Sequence, residues 1–463
     1  MKKLNKGPVR TCLFLCLLLL SLFALRALPP ITMGGYEVKR VDILADLLTA
    51  ENAEADTTNT ATAALLQTKT SFRDSCPEGM VCIEDYAGIG TDDSTGGRHG
   101  MESFYEALSK RASLGRPVRI AYFGDSFIEG DILTADLRAL LQQRFGGCGV
   151  GFVDIASPFT SLRSSVRHKA EGWTDHNVLE KSGCERSRLG ITCRYAISGE
   201  GAMVQYKGVR DYSRLDTFET ATLYLAAPSP TTVRVTTNDN VSESVPVYGS
   251  NRLTAVKQEG RIGSVRFEMG SGITCYGASL EGRTGITLDN FSLRGSSGAP
   301  LAEIPEAFLS QLNAERPYDL IVLQFGLNVA DKKRTKYTGY ANQMKKVIGH
   351  FKKAFPNAGI LIVSIGDRED KVNGQLRTMP GVKSLVSHQQ VMAAEEGVAF
   401  WNLYDAMGGE GSMRRMAEAQ PAEAGKDYTH INRRGGKRVA GILYRTLLHG
   451  YEQYEKKKAY ERD

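Results

Sequence analysis

Four short, unbroken apolar runs constrain the fold of this chain more than any other feature of its sequence. They read "PVRIAYFG", "YDLIVLQFG", "AGILIVSIG" and "VAFWNLY", and helical spacing in segments such as "MESFYEALSKRA" and "YTGYANQMKKVIGHFKKAF" separates them. A short apolar run bounded by Gly or Pro is typical of a strand buried on both faces of a parallel sheet. We therefore predict an α/β domain, with a parallel sheet covered by helices on both faces and ligands bound beyond the carboxyl ends of its strands.

A long stretch between the first and second of these strands has a different pattern. Residues 152–285 consist of short alternating segments such as "TATLYLAA", "TTVRVTTN" and "GSVRFEMG", separated by Gly, Asn and Ser turns. Such a pattern indicates a β-sandwich. We expect an inserted β-sandwich at 152–285 that interrupts one α/β domain, whose two parts are residues 101–151 and 286–455.

The N-terminal residues have the pattern of an export signal. Four basic residues in "MKKLNKGPVR" precede the apolar run "CLFLCLLLLSLFAL" at 12–25. We expect residues 1–28 to be a signal peptide or an N-terminal membrane anchor, which places the remaining chain on the far side of the membrane. Residues 29–100, rich in Ala, Thr, Asp, Gly and Ser, are predicted to be a linker or stalk.

Six of the eight cysteines lie in the part predicted to be exported, at positions 76, 82, 148, 184, 193 and 275. An even number in an oxidising compartment indicates up to three disulfides, with 15 possible connectivities. The short spacings favour Cys76 with Cys82 and Cys184 with Cys193, which leaves Cys148 with Cys275. No C-x-x-C pair occurs, so we expect no metal and no cofactor.

Five residues could together carry nucleophilic catalysis. Ser126 lies in "GDS" after the first strand and Asn328 in "GLN" after the second, Gly295 lies in the turn "NFSLRGSSG", and Asp427 and His430 lie in "DYTH" before the last helix. Serine hydrolysis needs a nucleophile, a base, a group that orients the base, and N–H donors for an oxyanion. Taken singly, each residue is better explained without catalysis, Ser126 as a helix cap, and Asp427 and Asn328 as ordinary cap and turn residues.

A helix is also predicted in "ILTADLRALLQQRF", shortly after Ser126. Its positive N-terminus would then lie near the backbone N–H of Ser126 and favour a developing oxyanion there.

The four blocks, taken in order, resemble those of the SGNH (or GDSL) hydrolase superfamily. That family has G-D-S, a lone Gly, G-x-N and D-x-x-H, and the matching segments are 124–126, Gly295, 326–328 and 427–430. One departure is Val329, where many members have Asp. "FGDSFIEGDILTADLR", "GGCGVGFV" and "FWNLYDAMGGEGSM", with the interrupting β-domain, resemble the bacterial peptidoglycan O-acetylesterases.

The resemblance implies an SGNH-type, flavodoxin-like sheet and a carbohydrate-binding-like insert. It further implies Ser126 as nucleophile, His430 as base, Asp427 as its orienting group, and Ser126, Gly295 and Asn328 as the oxyanion hole. The implied activity is removal of O-acetyl groups from an envelope polysaccharide, foremost peptidoglycan, through an acetyl-enzyme in the periplasm or cell envelope.

Two alternatives remain open at this point. The same triad could transfer an acetyl group onto an envelope glycan, since a sugar hydroxyl can replace water, or the chain could bind glycans without catalysis. The net charge is +6, and the Lys and Arg residues are scattered along the sequence rather than clustered. This argues against a nucleic-acid partner. We expect contact with the membrane only through the N-terminal segment.

Overall fold

A computed structural model describes residues 76–88, 99–372 and 374–461, together with two short strands near the N-terminus. These are β1 (Thr32–Met33) and β2 (Tyr36–Glu37), which pair antiparallel within a unit of their own. The predicted signal or anchor and most of the predicted linker lie outside the described residues. Among the described helices, none combines the length and apolar character needed to span a membrane.

All other described elements belong to one second unit. Its strands are β3 (Glu84–Asp85), β4 (Val118–Gly124), β5 (Gly151–Val153), β6 (Arg167–Asn177), β7 (Arg194–Lys207), β8 (Phe218–Ala226), β9 (Thr231–Thr237), β10 (Val241–Val247), β11 (Thr254–Ile262), β12 (Ser264–Met269), β13 (Thr274–Glu281), β14 (Ile286–Ser292), β15 (Leu320–Gln324), β16 (Gly359–Val363), β17 (Glu369–Val372), β18 (Gln375–Thr378) and β19 (Ala399–Trp401). Its helices are α1 (Met101–Ser109), α2 (Thr134–Phe145), α3 (Glu306–Glu315), α4 (Thr338–Ala354), α5 (Pro380–Glu395), α6 (Leu403–Met407), α7 (Ser412–Glu418) and α8 (Arg433–Tyr460).

A six-stranded sheet forms the centre of the α/β part. Its order is β14–β4–β15–β16–β19–β3, and all neighbours are parallel except the edge strand β3. Every residue of β4, β15 and β16 is buried. Because successive side chains point to opposite faces, both faces of the sheet are covered at these strands. The four strands predicted from apolar runs are therefore present.

The helices form two groups that pack among themselves. One group contains α1, α2 and α8, where the rings of Tyr105 and Phe145 both contact Tyr451. The other contains α3, α4 and α5. In that group Phe351 of α4 packs on Phe123 of β4, with ring centroids 5.1 Å apart.

Part of the predicted linker is instead packed into this unit, and for residues 76–88 the linker prediction is wrong. Strand β3 pairs with β19, and the side chains of Trp401 and Thr446 both donate hydrogen bonds to the carbonyl of Val81. Tyr86 is buried. Apolar side chains in "MVCIEDYAG" give this segment a surface to bury, which the Ala- and Thr-rich stretch before it lacks.

Nine further strands, β5 to β13, form one antiparallel sheet. Its main path is β10–β9–β12–β7–β13–β8–β11, with β5 paired to β13 and β6 to β7. The two ends of this path meet, since Gln258 of β11 donates a hydrogen bond to Glu243 of β10. All nine strands lie in the chain between β4 and β14, which are neighbours in the parallel sheet. The antiparallel sheet is thus built into a single crossover connection.

Only one of the three predicted disulfides is present. Cys76 is bonded to Cys82, whereas Cys148, Cys184, Cys193 and Cys275 are free thiols. The carbonyl of Cys148 accepts a hydrogen bond from Gly282, which lies seven residues beyond Cys275 and hence about 20 Å along β13. Cys193 is buried, and burial raises the pKa of its thiol. It therefore serves as a small core residue.

A buried network of charges joins the two sheets. Arg316 donates to Glu281 of β13 at 2.8 Å and to Asp289 of β14 at 2.8 Å, and Arg119 of β4 also donates to Glu281 at 2.8 Å. Burial alone would raise the pKa of Glu281, but the two guanidinium groups outweigh burial and lower the pKa to about 2. Glu281 is thus ionised, and both of its carboxylate oxygens accept hydrogen bonds from guanidinium groups.

The pKa of Glu281 predicts how the stability of the protein depends on pH. Because that pKa lies below its ordinary value of 4.5, the contribution is fully present above about pH 5 and lost as the pH falls toward about 2. We expect Glu281→Gln to lower the free energy of unfolding at pH 7 by about 3–5 kcal/mol. The difference from the parent protein should shrink as the pH falls from 5 to 2, measured by urea unfolding at several pH values.

Glu259→Gln is the matched control, because Glu259 is an exposed residue of β11. It should leave the urea midpoint nearly unchanged at every pH. A Glu281→Gln variant as stable as the parent protein at pH 7 would contradict the importance of the network.

Candidate active site

The candidate site lies at the point where the connections of the parallel sheet diverge. From β4 the chain leads first to β14 on one side, and β15 follows on the other side. Ser126 follows β4 by two residues, Gly295 follows β14 by three, and Asn328 follows β15 by four. The carboxyl ends of parallel strands share one edge of the sheet, so the loops carrying these residues meet there, at the usual position for a ligand.

Ser126, His430 and Asp427 form one hydrogen-bonded chain. The hydroxyl oxygen of Ser126 lies 3.0 Å from Nε2 of His430, and Nδ1 of His430 lies 2.6 Å from Oδ2 of Asp427. With its proton on Nδ1, the imidazole donates to Asp427 and leaves Nε2 to accept from the serine hydroxyl. A serine in this arrangement can lose its proton to the imidazole as it attacks a carbonyl carbon.

The loop before α8 holds Asp427 and His430 in place. Oδ1 of Asp427 accepts hydrogen bonds from the backbone N–H groups of Thr429 and His430, at 3.1 and 3.2 Å. Burial acts to raise the pKa of Asp427, but the hydrogen bonds from His430 and Thr429 outweigh it, and the pKa is lowered. Asp427 therefore carries its negative charge throughout the neutral range and can orient the imidazole.

The helix predicted in "ILTADLRALLQQRF" is present, but it starts two residues later than that segment. Helix α2 begins only at Thr134, and a 3₁₀ turn at Glu129–Asp131 precedes it. Gly130 and Asp131 both have φ of 62°, which turns the chain away before the helix begins. The effect of the N-terminus of α2 on the backbone N–H of Ser126 stays a prediction, and the described hydrogen bond of the Ser126 side chain is to His430.

Asp131 anchors this turn, and sequence reasoning missed its role. Its buried carboxylate accepts hydrogen bonds from Arg163 at 3.2 Å, from Asn290 of β14 at 2.8 Å, and from Arg138 and Ser165. Burial would raise its pKa, but Arg163 and Arg138 hold the pKa well below its usual range. The Gly-Asp pair in "IEGD" is a sequence signal for a turn, because Gly adopts positive φ easily. The partners of Asp131, however, lie far away in the chain, at residues such as Arg163 and Asn290.

Gly295 and Asn328 stand on the two flanking loops. Gly295 is exposed and has φ of 81°, a conformation that favours glycine. Asn328 is exposed, and its amide donates one hydrogen bond to the carbonyl of Ser296 at 3.0 Å. An Asn amide carries two N–H donors. The Ser296 contact fixes the amide and leaves its second N–H for a bound group.

Asp125, beside Ser126, is fully buried under the site. Its Oδ1 accepts the backbone N–H of Phe127 at 3.0 Å. Burial raises the pKa of Asp125 to about 6, against the opposing effects of the backbone N–H groups of Phe127, Leu327 and Gly326 and of nearby His430. Asp125 thus fixes the backbone of the serine loop from below, while the Ser126 hydroxyl faces His430.

The described residues contain no group of three or more His, Cys, Asp and Glu side chains arranged to hold a metal ion.

Comparison with solved structures identifies one with the same fold. A peptidoglycan O-acetylesterase superposes with a TM-score of 0.65 over 80% of this chain and 99% of its own, at 20% sequence identity. This chain therefore has the fold of that esterase. No family model and no curated relative matches the sequence.

Two further matches are weaker. A salicylyl-acyltransferase from a tetracycline biosynthetic pathway has a TM-score of 0.28 at 12% identity, covering 62% of this chain and 98% of its own. A family two carbohydrate esterase from Cellvibrio japonicus has a TM-score of 0.24 at 10% identity, covering 63% and 98%. At these TM-scores neither bears on the fold of this chain.

The Asp131 network yields a prediction for stability. Asp131→Ala leaves Arg138, fully buried, and Arg163 without their shared carboxylate. We expect a loss of about 3–5 kcal/mol in the free energy of unfolding, measured by urea denaturation at pH 7. Asp216→Ala, at an exposed position of the antiparallel part, is the control and should change the midpoint little. Equal losses in both variants would contradict the anchoring role.

Proposed function

We propose that this protein is an SGNH-type serine esterase that removes O-acetyl groups from a carbohydrate. The observation that carries the proposal is the 3.0 Å contact between Ser126 and His430, whose other nitrogen lies 2.6 Å from Asp427. The position of this chain of side chains at the carboxyl ends of β4, β14 and β15 supports it. The fold shared with a peptidoglycan O-acetylesterase supports it as well.

In the proposed reaction, Ser126 Oγ attacks the carbonyl carbon of the acetyl ester while its proton passes to Nε2 of His430. The tetrahedral intermediate collapses, the bond to the sugar oxygen breaks, and His430 returns the proton to that oxygen. Water then attacks the acetyl-enzyme with His430 as base, and acetate leaves as Ser126 regains its proton. Asp427 keeps the imidazole oriented and stabilises its positive charge.

The negative charge of each tetrahedral intermediate needs N–H donors. We assign this role to the backbone N–H groups of Ser126 and Gly295 and to the free N–H of Asn328. Their placement on three loops around one edge of the sheet supports the assignment. A single such donor contributes about 10²- to 10³-fold in rate.

We further infer a flavodoxin-like parallel sheet interrupted by a β-sandwich that is carbohydrate-binding-like. The strand order β14–β4–β15–β16–β19 follows the pattern second, first, third, fourth, fifth, which is the flavodoxin order. The antiparallel sheet has its own apolar core, and its two ends meet. An insert of this kind beside the site favours a polymeric substrate, and peptidoglycan is the one we propose.

We also propose that the protein acts in the periplasm or cell envelope. The Cys76–Cys82 disulfide supports this location, because disulfides persist in oxidising compartments. The apolar run at 12–25 is the sequence feature that agrees with export.

The first test of the function is acetate release. We expect the full-length protein to release acetate from O-acetylated peptidoglycan and to hydrolyse p-nitrophenyl acetate, and Ser126→Ala to lower both rates at least about 10⁴-fold. Ser109→Ala, at a half-buried position at the end of α1, is the control and should retain both activities. A parent protein and a Ser126→Ala variant that are equally inert on both substrates would favour glycan binding without catalysis. Acetyl transfer to an added sugar that outpaces hydrolysis would favour a transferase.

The second test concerns the orientation of His430. Asp427→Asn keeps the size of the side chain but removes the charge that holds the imidazole tautomer, so kcat/KM for p-nitrophenyl acetate should fall about 10²- to 10⁴-fold. The rate at which a fluorophosphonate labels Ser126 should fall in parallel. Asp216→Asn is the matched control, and unchanged labelling in Asp427→Asn would rule out the proposed role.

A further inference from the structure

A groove runs beside the Ser126–His430 pair, between the α/β part and the segment that joins β5 to β6. Its volume is about 380 Å³, which is within the range of sites that bind small molecules or single sugar units. One wall contains Glu129 and Gly130, close after Ser126, and another contains Ile431 and Arg433, directly after His430. Leu162, which ends a 3₁₀ turn between β5 and β6, lines the third side.

Glu129 lines this groove and carries a hydrogen-bond acceptor that has no partner among the described residues. The residue is 6% exposed, and its Oε2 accepts a hydrogen bond from Arg294 at 2.7 Å. Its other oxygen, Oε1, is buried and has no partner among the described residues. A buried carboxylate oxygen without a donor is costly, so a ligand that supplies an N–H or O–H would be favoured there.

The wall that carries Glu129 is rigid. Arg294 lies next to Gly295, so its ion pair with Glu129 joins the loops after β14 and β4. Asp131, two residues after Glu129, is held by the buried network described above. A Cβ at Gly130 would lie 3.2 Å from the carbonyl of Leu162, which shows how closely this turn approaches the antiparallel part.

The rest of the groove combines apolar and polar surface. Leu162 is 51% exposed, although its side chain is apolar, and Ile132 and Ile431 line the same groove. At the antiparallel side, Arg433 donates hydrogen bonds to Ser164 and to Tyr212, the latter at 3.3 Å. An apolar patch next to a buried acceptor suits a sugar ring, which has an apolar face and an edge of O–H or N–H donors.

We propose that this groove binds the sugar unit adjacent to the acetylated one, and that Glu129 Oε1 accepts a hydrogen bond from it. Leu162 covers the apolar face of the same sugar. Glu129 is thus a specificity-determining residue that selects glycans over small esters. The inference rests on the proposed function, because it takes the acetyl group cleaved at Ser126 to be carried by a glycan.

The test uses two readouts on the full-length chain. In Glu129→Gln the carbonyl of the amide will face Arg294, and its NH₂ group will replace the acceptor in the groove. The ratio of kcat/KM for O-acetylated peptidoglycan fragments to that for p-nitrophenyl acetate should therefore fall about 10- to 100-fold. Leu162→Ala, at a half-exposed position that the fold tolerates, should lower the ratio about 3- to 10-fold. Glu185→Gln, at an exposed position away from the groove, is the matched control.

The second readout is binding of the same fragments, by calorimetry, to Ser126→Ala with and without Glu129→Gln. We expect the second substitution to weaken Kd about 10-fold or more. Equal binding by the two proteins, or an unchanged ratio in both groove variants, would overturn the inference even where acetate release supports the proposed function. Binding that depends on Glu129 without any acetate release would overturn the proposed function alone.

Acetylated xylo-oligosaccharides provide a second arm, because they carry hydroxyl groups but no acetamido N–H. If Glu129→Gln weakens binding of both glycans, the donor is a hydroxyl. If it weakens binding of the peptidoglycan fragments alone, the donor is an acetamido N–H. No effect on either contradicts the proposal.

Discussion

The buried charges around Arg316 determine how the two sheets of this protein meet. Arg316 is fully buried and bonds both to Glu281, the last residue of the antiparallel sheet, and to Asp289 of β14. Such a group is stable only with its partners in place, because a single unpaired charge at this depth would cost several kcal/mol. The antiparallel sheet is therefore fixed to the edge of the parallel sheet at the strand that leads into the active-site loops.

Strand β14 carries this constraint to the candidate site. Adjacent residues of a strand point to opposite faces, and here Asp289 bonds to Arg316 while Asn290 bonds to Asp131 in the loop after Ser126. Asp131 also binds Arg163 and Ser165, which come from the start of the inserted segment. Two polar networks on opposite sides of one strand thus hold the insert and the serine loop in register.

Sequence reasoning found what is local and missed what depends on distant partners. The strands β4, β15, β16 and β19 are predictable because burial on both faces requires apolar side chains. In β14 the run "TLDNFS" contains Asp289 and Asn290, whose partners lie at residues 316 and 131, so no local pattern reveals a strand. Short spacing predicts the disulfide of Cys76 with Cys82 correctly. It also predicts Cys184 with Cys193, which are free thiols, so spacing alone does not decide the pairing. The grouping of Ser126, Asp427 and His430 could be predicted because their motifs are short, but Glu129 resembles any surface glutamate until its burial is known.

The exposure of His430 and Asp427 has a consequence for selectivity if the proposed function is correct. The side chains of His430 and Asp427 are 41% and 52% exposed, whereas Ser126 is 8% exposed, so the histidine and carboxylate end of the hydrogen-bonded chain lies at the surface. Such a surface would admit the proposed polymeric substrate, but it offers few contacts of its own by which to select one. Selection must then come from neighbouring surface, and the described residues provide that surface mainly where the insert approaches the turn at Gly130. The insertion between β4 and β14 therefore does more than lengthen the chain, because it supplies the wall that the parallel sheet alone lacks.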